Sequence, residues 1–364
     1  MGKKWNAMIF VLIAGVVMGA FAAGEQEGTE AEWPTKSITM AIGYSAGGST
    51  DVVTRGLARE MQDFLGENIT CVNVSGAGAS IAGQQVLDAP SDGYMMFAGV
   101  AHSPSGWRVL DYADIGWEDF YGFHCATSPY VLFVSADSDW MNISQLVDAM
   151  EAEPGKIKWG SAGLGSMNHV TGTVLLDLLG TEATHIPYQG GREAATKLMA
   201  GDVDFSWAGL GDIKDLAAAG KVRILGIAKE GGLELETDTG VEQIPALIDD
   251  YPQLSAVQDL LFWGVAIPRD TPAYIVSKYR EAYLYAVEQD RFKELCESRG
   301  LMIVPYSGVE DDKLCANLES VYTWGLYAAG MAAVSPAEFD IPRVEDYSWP
   351  PHERAASANP WPEQ

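Results

Sequence analysis

The chain alternates short apolar runs with longer stretches in which apolar residues recur every three or four positions. The run at 38–42 predicts a buried strand, and the apolar positions within 53–64 predict one face of a helix. Two further apolar runs, at 69–74 and 94–98, enclose a second helix that begins near Ile81. This βαβαβ order predicts a parallel sheet with right-handed crossover connections.

The same alternation continues beyond this first unit. Asn142, with Gln145 three residues later, predicts the N-terminus of a helix. The acidic stretch 231–252 has no period and predicts an irregular surface segment, while 335–364 predicts an extended appendage. Further strands are predicted at 130–135, 157–160, 184–187, 203–207, 222–228 and 261–267, and further helices at 167–179, 273–299 and 311–329, with two more ending at Ala200 and Gly220.

The first residues have the pattern of an export signal. Lys3 and Lys4 precede an apolar run at 7–23 that ends in Ala20-Phe21-Ala22, the small-x-small pattern of a signal-peptidase site. We therefore predict a signal peptide at residues 1–22, cleaved near Ala22, and a periplasmic location. A retained membrane anchor is the alternative, because the run is nearly long enough to span a bilayer. Lipid attachment is not expected, since the first cysteine is Cys71.

Composition and charge narrow the classes of function. The 364 residues suffice for two α/β lobes. The formal net charge is −27, and removal of the two leader lysines would make it −29. Nucleic-acid recognition needs a basic face, so that class is excluded. The four cysteines lack the spacing of metal sites, which leaves one disulfide or none: Cys71, Cys125, Cys296 and Cys315.

Four loops rich in glycine and serine each follow a predicted strand and precede a predicted helix. Unpaired amides and the positive end of the helix macrodipole attract an anion at such places. Several loops of this kind facing one cleft would form a binding site, and no nucleophile or metal-ligand cluster stands beside them in the sequence. The loops are Tyr44–Asp51, Ser75–Ser80, Gly160–Ser166 and Tyr188–Arg192.

Six short sequence motifs follow the predicted signal peptide in this order: Ile38–Asp51, Gly76–Gly78, Ser91–Tyr94, Gly163–His169, Ile186–Gly191 and Gly220–Arg223. As a set they resemble the extracytoplasmic solute receptors of tripartite tricarboxylate transporters, the Bug family. The resemblance extends from about residue 34 to about residue 330.

This resemblance implies an α/β, two-lobed fold of the periplasmic-binding-protein type (type II). The protein would be a monomer without enzymatic activity or cofactor. It would capture a small organic carboxylate between its lobes and deliver it to an integral-membrane permease. By the same resemblance, 34–125 and 265–335 would form lobe 1, 126–264 lobe 2 and 336–364 a C-terminal extension, with hinge strands near 122–130 and 262–267.

The resemblance also implies where the carboxylate would bind. Backbone N–H groups, hydroxyls and ordered waters of the first-lobe loops would hold it, and the second lobe would add selectivity. Tyr44 stands where phenylalanine is common in the family and adds a hydroxyl that can donate to a ligand. The implied contacts are Ala46, Gly47, Gly48, Ser49, Ala77, Gly78, Ala79 and Ser80 from the first lobe, and Ser161, Ser166 and Tyr188 from the second.

Single side chains add further candidates. His102 follows a strand at the edge where open α/β sheets bind ligands, with a surface histidine as the alternative. The side chains of Tyr188 and Gln189 should reach the cleft, with an ordinary βα turn as the alternative. Arg192 would either hold a second carboxylate through its bidentate fork or lie exposed at a helix start. His169 and His185 are predicted to be packed. Because the three histidines lack metal-ligand spacing, no metal is expected.

Other classes of function stay open. An exported α/β hydrolase is one, although the sequence has neither a Gly-x-Ser-x-Gly elbow nor a His-Glu-x-x-His pair. A nucleotide-binding oxidoreductase is disfavoured, because no G-x-G-x-x-G follows the first predicted strand. A receptor that presents its ligand to a sensor rather than a permease has the same sequence features as a transport receptor.

Overall fold

The computed structural model describes residues 32–257 and 261–362. The predicted signal peptide at 1–22 lies outside these residues. Within them, every helix is too short or too polar to cross a membrane.

Two mixed β-sheets, with helices packed on them, form the fold. The thirteen strands among the described residues are β1 (Ile38–Ile42), β2 (Ile69–Asn73), β3 (Met95–Val100), β4 (Phe120–Thr127), β5 (Tyr130–Ser135), β6 (Lys158–Ser161), β7 (Thr184–Pro187), β8 (Phe205–Gly209), β9 (Val222–Ile227), β10 (Leu233–Thr237), β11 (Gly240–Ile244), β12 (Phe262–Pro268) and β13 (Met302–Ser307). The α-helices are α1 (Ser49–Leu65), α2 (Ser80–Leu87), α3 (Ser103–Val109), α4 (Ile143–Ala152), α5 (Met167–Leu179), α6 (Gly191–Met199), α7 (Leu210–Ala218), α8 (Leu247–Asp250), α9 (Ala273–Val287), α10 (Asp290–Ser298), α11 (Val309–Ala328) and α12 (Glu353–Ser357).

The first sheet has the strand order β13-β4-β12-β3-β1-β2. Its β1 pairs in parallel with both β2 and β3, which confirms the predicted βαβαβ unit. The second sheet has the order β7-β6-β8-β5-β9, and here β6 pairs in parallel with β7 and β8. The chain passes from β4 into β5 through two residues and returns to the first sheet at β12. Each sheet therefore carries its own group of parallel strands.

Strong local patterns predicted several elements to the residue. The strands at 130–135 and 184–187 and the helix at 167–179 have the predicted bounds. The Asn142 side chain accepts a hydrogen bond from the Gln145 amide (3.0 Å), as an N-cap should.

Other elements correct the sequence-based expectation. The stretch 231–252 is not irregular, because β10 and β11 form an antiparallel hairpin there. The helix expected over 273–299 ends at Val287, and α10 starts anew because Gln289 is extended. The family resemblance implied a hinge strand near 122–130, where β4 ends at Thr127 and β5 follows, but the residue pattern alone predicted neither β4 nor β13. A glycine and a histidine interrupt the apolar run of β4, and Pro305 in β13 is tolerated because that strand lies at the sheet edge.

The C-terminal extension is a docked segment and not the extended appendage that the sequence suggested. The Trp361 ring lies edge-on to Tyr121 and Phe123, with ring centroids 4.9 and 5.4 Å away. Arg269 Nε donates to the carbonyl oxygen of Asn359 (2.7 Å). Earlier in the extension, His352 Nε2 lies 2.9 Å from a carboxylate oxygen of the buried Glu319 of α11. The extension therefore packs on two side chains of β4 and contacts α11.

Replacement of Trp361 should measure this docking. We expect Trp361→Ala to lower the free energy of unfolding by about 1–3 kcal/mol, because it removes an aromatic ring packed on two others. Urea denaturation gives the value, with Trp349→Ala as the matched control because Trp349 is 40% exposed. Equal losses in the two variants would mean that Trp361 contributes no special packing.

Candidate functional site

The four glycine-rich loops line one cavity of about 230 Å³ between the two sheets. Each loop follows a parallel strand, namely β1, β2, β6 or β7, so each leaves the carboxyl edge of its sheet. We call this space the outer cavity. Its lining residues are Gly43, Tyr44, Gly76, Ala77, Gly78, Ala79, Tyr112, Ala162, Gly163, Leu164, Pro187, Tyr188 and Gln189.

The loop before α2 has an unusual backbone. Ala77, Gly78 and Ala79 have positive φ angles of 45°, 58° and 75°, a region that alanine rarely adopts. Two features of the surrounding structure permit this conformation. The Trp107 indole donates to the carbonyl oxygen of Gly78 (2.7 Å), and Gly43 leaves the space that Ala79 occupies, since a Cβ on Gly43 would lie 2.3 Å from that of Ala79. Strained backbone of this kind is often found at ligand sites.

Within this turn the amide of Ala79 donates to the carbonyl oxygen of Gly76 (2.9 Å). The amides of Ala77 and Gly78 precede that first hydrogen bond, as the first amides of any helical turn do. Ser80 begins α2 directly afterwards. The turn is therefore a source of backbone donors at the wall of the outer cavity.

A second, inner cavity of about 30 Å³ also has Tyr44 and Ala162 in its lining. Ser45 Oγ and His102 Nδ1 are buried near it and have no hydrogen-bond partner within the described part of the chain. This volume holds only one or two water molecules. Besides Tyr44, Ser45, Ala162 and His102, its lining includes Gly48, Ser49, Thr50, Val100, Ser166, Met167, Asn168, Gly190, Gly191, Asp212, Leu261 and Trp263.

Two ionisable side chains that line the cavities, His102 and Tyr44, are neutral at physiological pH. Burial lowers the pKa of His102 to about 3, with a smaller contribution from His124. Burial also raises the pKa of Tyr44 to about 12, although its hydroxyl is hydrogen-bonded to Ser103 Oγ (3.0 Å). Both groups can therefore donate a hydrogen bond without carrying a charge at neutral pH.

Hydrogen bonds cross the cleft at the loop before α1. The amide of Ser49 donates to Asp212 Oδ1 on α7 (2.7 Å), and the amide of Ser45 donates to the carbonyl oxygen of Gln189 (3.2 Å). Within the loop itself, without crossing the cleft, the amide of Gly47 donates to Asp51 Oδ2 (3.0 Å). Burial raises the pKa of Asp212, and the Ser49 amide offsets part of that effect. The protein's own carboxylates thus occupy the N-terminal end of α1.

The structure places the predicted site residues in three groups. Tyr44, Ala77, Gly78, Ala79, Tyr188 and Gln189 line the outer cavity, and Tyr44 also lines the inner one with Gly48, Ser49, His102 and Ser166. The Tyr188 ring itself packs against the apolar core of the second sheet. Ala46, Gly47, Ser80, Ser161 and Arg192 line neither cavity.

Arg192 corrects one expectation directly. Its guanidinium forms a two-pronged ion pair with Asp215, and one of its nitrogens also donates to the carbonyl oxygen of Asp212 (3.1 Å). It is therefore neither a free counter-ion for a second carboxylate nor an unpaired surface residue.

The serines of the third loop also have partners. Ser161 Oγ is 2.7 Å from His185 Nε2. Ser166 caps α5, accepting from the His169 amide (3.2 Å), and its hydroxyl donates to the carbonyl oxygen of Gly163 (2.8 Å). These contacts fix the shape of the loop.

Beneath that loop, two imidazoles stack. The rings of His169 and His185 are 3.9 Å apart and nearly parallel, and Trp159 packs against both, with ring centroids 4.5 Å from His185 and 6.0 Å from His169. The amide of Gly165 donates to His169 Nδ1 (3.1 Å). Burial lowers the pKa of His169 to about 4, and burial followed by the nearby His169 lowers the pKa of His185 to about 3. The pair is neutral at physiological pH.

Sequence reasoning missed several residues that line the two cavities, among them the polar residues Tyr112, Ser45 and Asp212. Tyr112 lies in a loop that has no hydrophobic periodicity. Ser45 lies in the first glycine-rich loop, where nothing in the sequence distinguishes it from its neighbours. Asp212 lies in the first turn of α7, which begins at Leu210 directly after the end of β8 at Gly209. This is a further strand–glycine–helix pattern, and it could have identified Asp212 from the sequence.

The sequence of the chain matches the model of the tripartite tricarboxylate transporter family receptor over residues 53–321. The chain belongs to this family, as the six sequence motifs indicated. One curated relative, a UPF0065 protein of Pseudomonas sp. (strain P51) encoded in the tcbD-tcbE intergenic region, is 28% identical over 73% of this chain and 78% of its own length.

Solved structures share the fold. Periplasmic binding protein BugD superposes with a TM-score of 0.72 at 23% identity, covering 82% of this chain and 99% of BugD. MatC from Rhodopseudomonas palustris, solved with bound malate, gives 0.67 at 23% identity, covering 79% of this chain and 99% of MatC. These similarities confirm the two-lobed, type II fold.

Acid should destabilise the protein through His169 and His185. Their folded pKa values of about 4 and about 3 lie below the ordinary 6.5, so the unfolded chain takes up protons first. The stability that the neutral pair contributes is thus present above about pH 6.5 and lost as the pH falls towards 4, by at most about 1.4 kcal/mol per pH unit for each histidine.

Urea denaturation at several pH values tests this expectation. The free energy of unfolding should fall more steeply between pH 6.5 and 4 for the wild type than for His169→Gln/His185→Gln. Identical slopes for the two proteins would show that the pair does not titrate as described.

Proposed function

We propose that the protein is a periplasmic, non-enzymatic receptor that binds a small organic carboxylate in the outer cavity. It would then deliver this acid to the integral-membrane permease of a tripartite tricarboxylate transporter. The observation that carries the proposal is the convergence of all four loops on one space. Membership in the receptor family supports it, and so does the malate bound to MatC.

The backbone favours the turn at 77–79 as the carboxylate's main contact. The amides at the start of α1 already donate to Asp51 and Asp212, so that end of the site is filled while the lobes are in contact. The amides of Ala77 and Gly78 lie in a turn that lines the cavity. A bound carboxylate would accept from them, and Tyr44 and Gln189 would close around the rest of the molecule.

The net negative charge of the protein does not oppose this function. Charges on the outer surface are screened within about 8–10 Å at ordinary ionic strength, whereas amide donors act at contact distance. Arg192 pairs with Asp215, so recognition in this proposal depends on neutral donors. A cavity of about 230 Å³ suits a small metabolite rather than a larger ligand.

Closure supplies the signal for delivery. Second-lobe loops at 162–164 and 187–189 contact a ligand only when the lobes are together, so the ligand favours that state. The permease would then recognise the closed form.

Ligand binding should stabilise the purified protein. Malate or another small di- or tricarboxylate at about 100 times its dissociation constant should add about 2.7 kcal/mol to the apparent stability. Thermal-shift measurements over a panel of such acids, with amino acids and sugars as controls, give the result. Stabilisation by none of the acids, or conversion of one of them to a product, would refute the proposal.

A charge placed at the rim of the outer cavity should change affinity in a predictable direction. Leu164 lines this cavity and is 55% exposed, so its replacement should not affect folding. We expect Leu164→Asp to weaken binding of the stabilising acid about tenfold by charge repulsion, and Leu164→Lys to strengthen it. Leu164→Asn is the uncharged control.

Titration calorimetry at low salt measures the three affinities. If the aspartate, asparagine and lysine variants bound the acid equally well, the ligand would not lie in the outer cavity.

A further inference from the structure

A second cluster of functional side chains lies inside the first lobe, away from the four loops. His124 comes from β4, while Asp311 and Cys315 stand one turn apart on the same face of α11. His124 Nδ1 is 2.8 Å from Asp311 Oδ1, and Cys315 Sγ is 4.0 Å from that imidazole nitrogen and 3.8 Å from Asp311 Oδ2. All three residues are buried.

The fold leaves room at this cluster. A cavity of about 20 Å³, enough for one water molecule, is lined by all three residues. Glycines create the space, because a Cβ on Gly122 would lie 2.2 Å from Asp311 Oδ2 and one on Gly264 would lie 2.6 Å from the His124 Cα. Side chains at these two positions would displace the cluster.

We propose that His124, Asp311 and Cys315 bind one zinc ion, with a water molecule from the adjoining cavity as the fourth ligand. Imidazole, carboxylate and thiolate are the ligands that zinc prefers, and tetrahedral zinc places neighbouring donor atoms about 3.3–3.7 Å apart. His124 Nδ1 lies 2.8 Å from Asp311 Oδ1, whereas Cys315 Sγ lies 3.8 Å from Asp311 Oδ2 and 4.0 Å from the imidazole nitrogen. A small rotation of the carboxylate, with shifts of about half an ångström or less, would bring one oxygen, the nitrogen and the sulfur to the spacing of a single zinc ion.

Binding would exchange protons and charge in a balanced way. The thiol of Cys315 would release its proton to solvent. The proton that His124 Nδ1 donates to Asp311 Oδ1 in the metal-free protein would also leave, so that Nδ1 offers its lone pair and the neutral imidazole carries its proton on Nε2. One thiolate and one carboxylate then neutralise the two charges of the ion. A neutral site of this kind is suited to the interior of the lobe.

The neighbouring side chains help to orient the ligands. The His124 amide donates to Asp311 Oδ1 (3.1 Å), which fixes the carboxylate. Asp312 is held separately by Arg269 through two hydrogen bonds of 2.9 and 2.7 Å, so the adjacent carboxylate is already paired. The zinc would link β4 to α11 and stabilise the first lobe without taking part in the cleft.

Cobalt(II) is a suitable spectroscopic probe for the site. The purified full chain is treated with a chelator, exchanged into chelator-free buffer and titrated with Co²⁺. We expect one equivalent to give thiolate-to-cobalt charge transfer and the intense visible bands of tetrahedral coordination. Zinc should then displace the cobalt and raise the thermal unfolding temperature.

Cysteine variants identify the ligand. Cys315→Ser should abolish the charge-transfer band and weaken zinc binding more than about 100-fold. Cys71→Ser is the matched control, since Cys71 is the partly exposed thiol and the one open to adventitious metal. Asp311→Asn provides a second test, and circular dichroism verifies the fold of each variant.

The charge-transfer band in the two cysteine variants distinguishes zinc binding at His124, Asp311 and Cys315 from metal bound elsewhere. Loss of the band in Cys315→Ser with retention in Cys71→Ser supports the site. A wild-type protein without a charge-transfer band, or a band that Cys71→Ser removes and Cys315→Ser leaves, overturns it. If Cys315→Ser fails to fold, retention of the band and of zinc affinity in folded Asp311→Asn would also overturn it.

Discussion

One geometric constraint brings the four loops together, namely the shared direction of the parallel strands in each of the two sheets. β1 and β2 end at the same edge of the first sheet, and β6 and β7 end at the same edge of the second. The loops after these strands therefore line one cavity, and a ligand bound there, as proposed, would contact both lobes. The hydrogen bond from the Ser49 amide to Asp212, across 163 residues of sequence, joins the two edges.

The site relies on backbone conformation more than on charged side chains. The left-handed turn at 77–79 is held by Trp107 and by the missing side chain of Gly43. Arg192, the cation best placed by sequence, is paired with Asp215. A receptor built in this way can bind an anion although the protein as a whole is strongly acidic, because close donors outweigh a screened distant field.

Local periodicity predicted the parts of this structure that local physics determines. The strand at 130–135, the helix at 167–179 and the convergence of the loops all follow from spacing and from the parallel order of strands. Contacts between distant residues left no such trace. The pairing of Asp212 with Ser49, the docking of Trp361 on Tyr121 and the meeting of His124 with Cys315 join residues 163 to 240 positions apart. Strand β13 was missed for a different reason, since its proline is permitted only by its place at the sheet edge.

A crystal structure of the protein grown with saturating malate or another stabilising acid would locate the bound acid and its hydrogen-bond donors. We expect density for the acid in the cavity between the two sheets, with one carboxylate within hydrogen-bond distance of the amides of Ala77 and Gly78. An acid bound outside that cavity, or held there by a charged side chain with both amides facing away, would contradict this expectation.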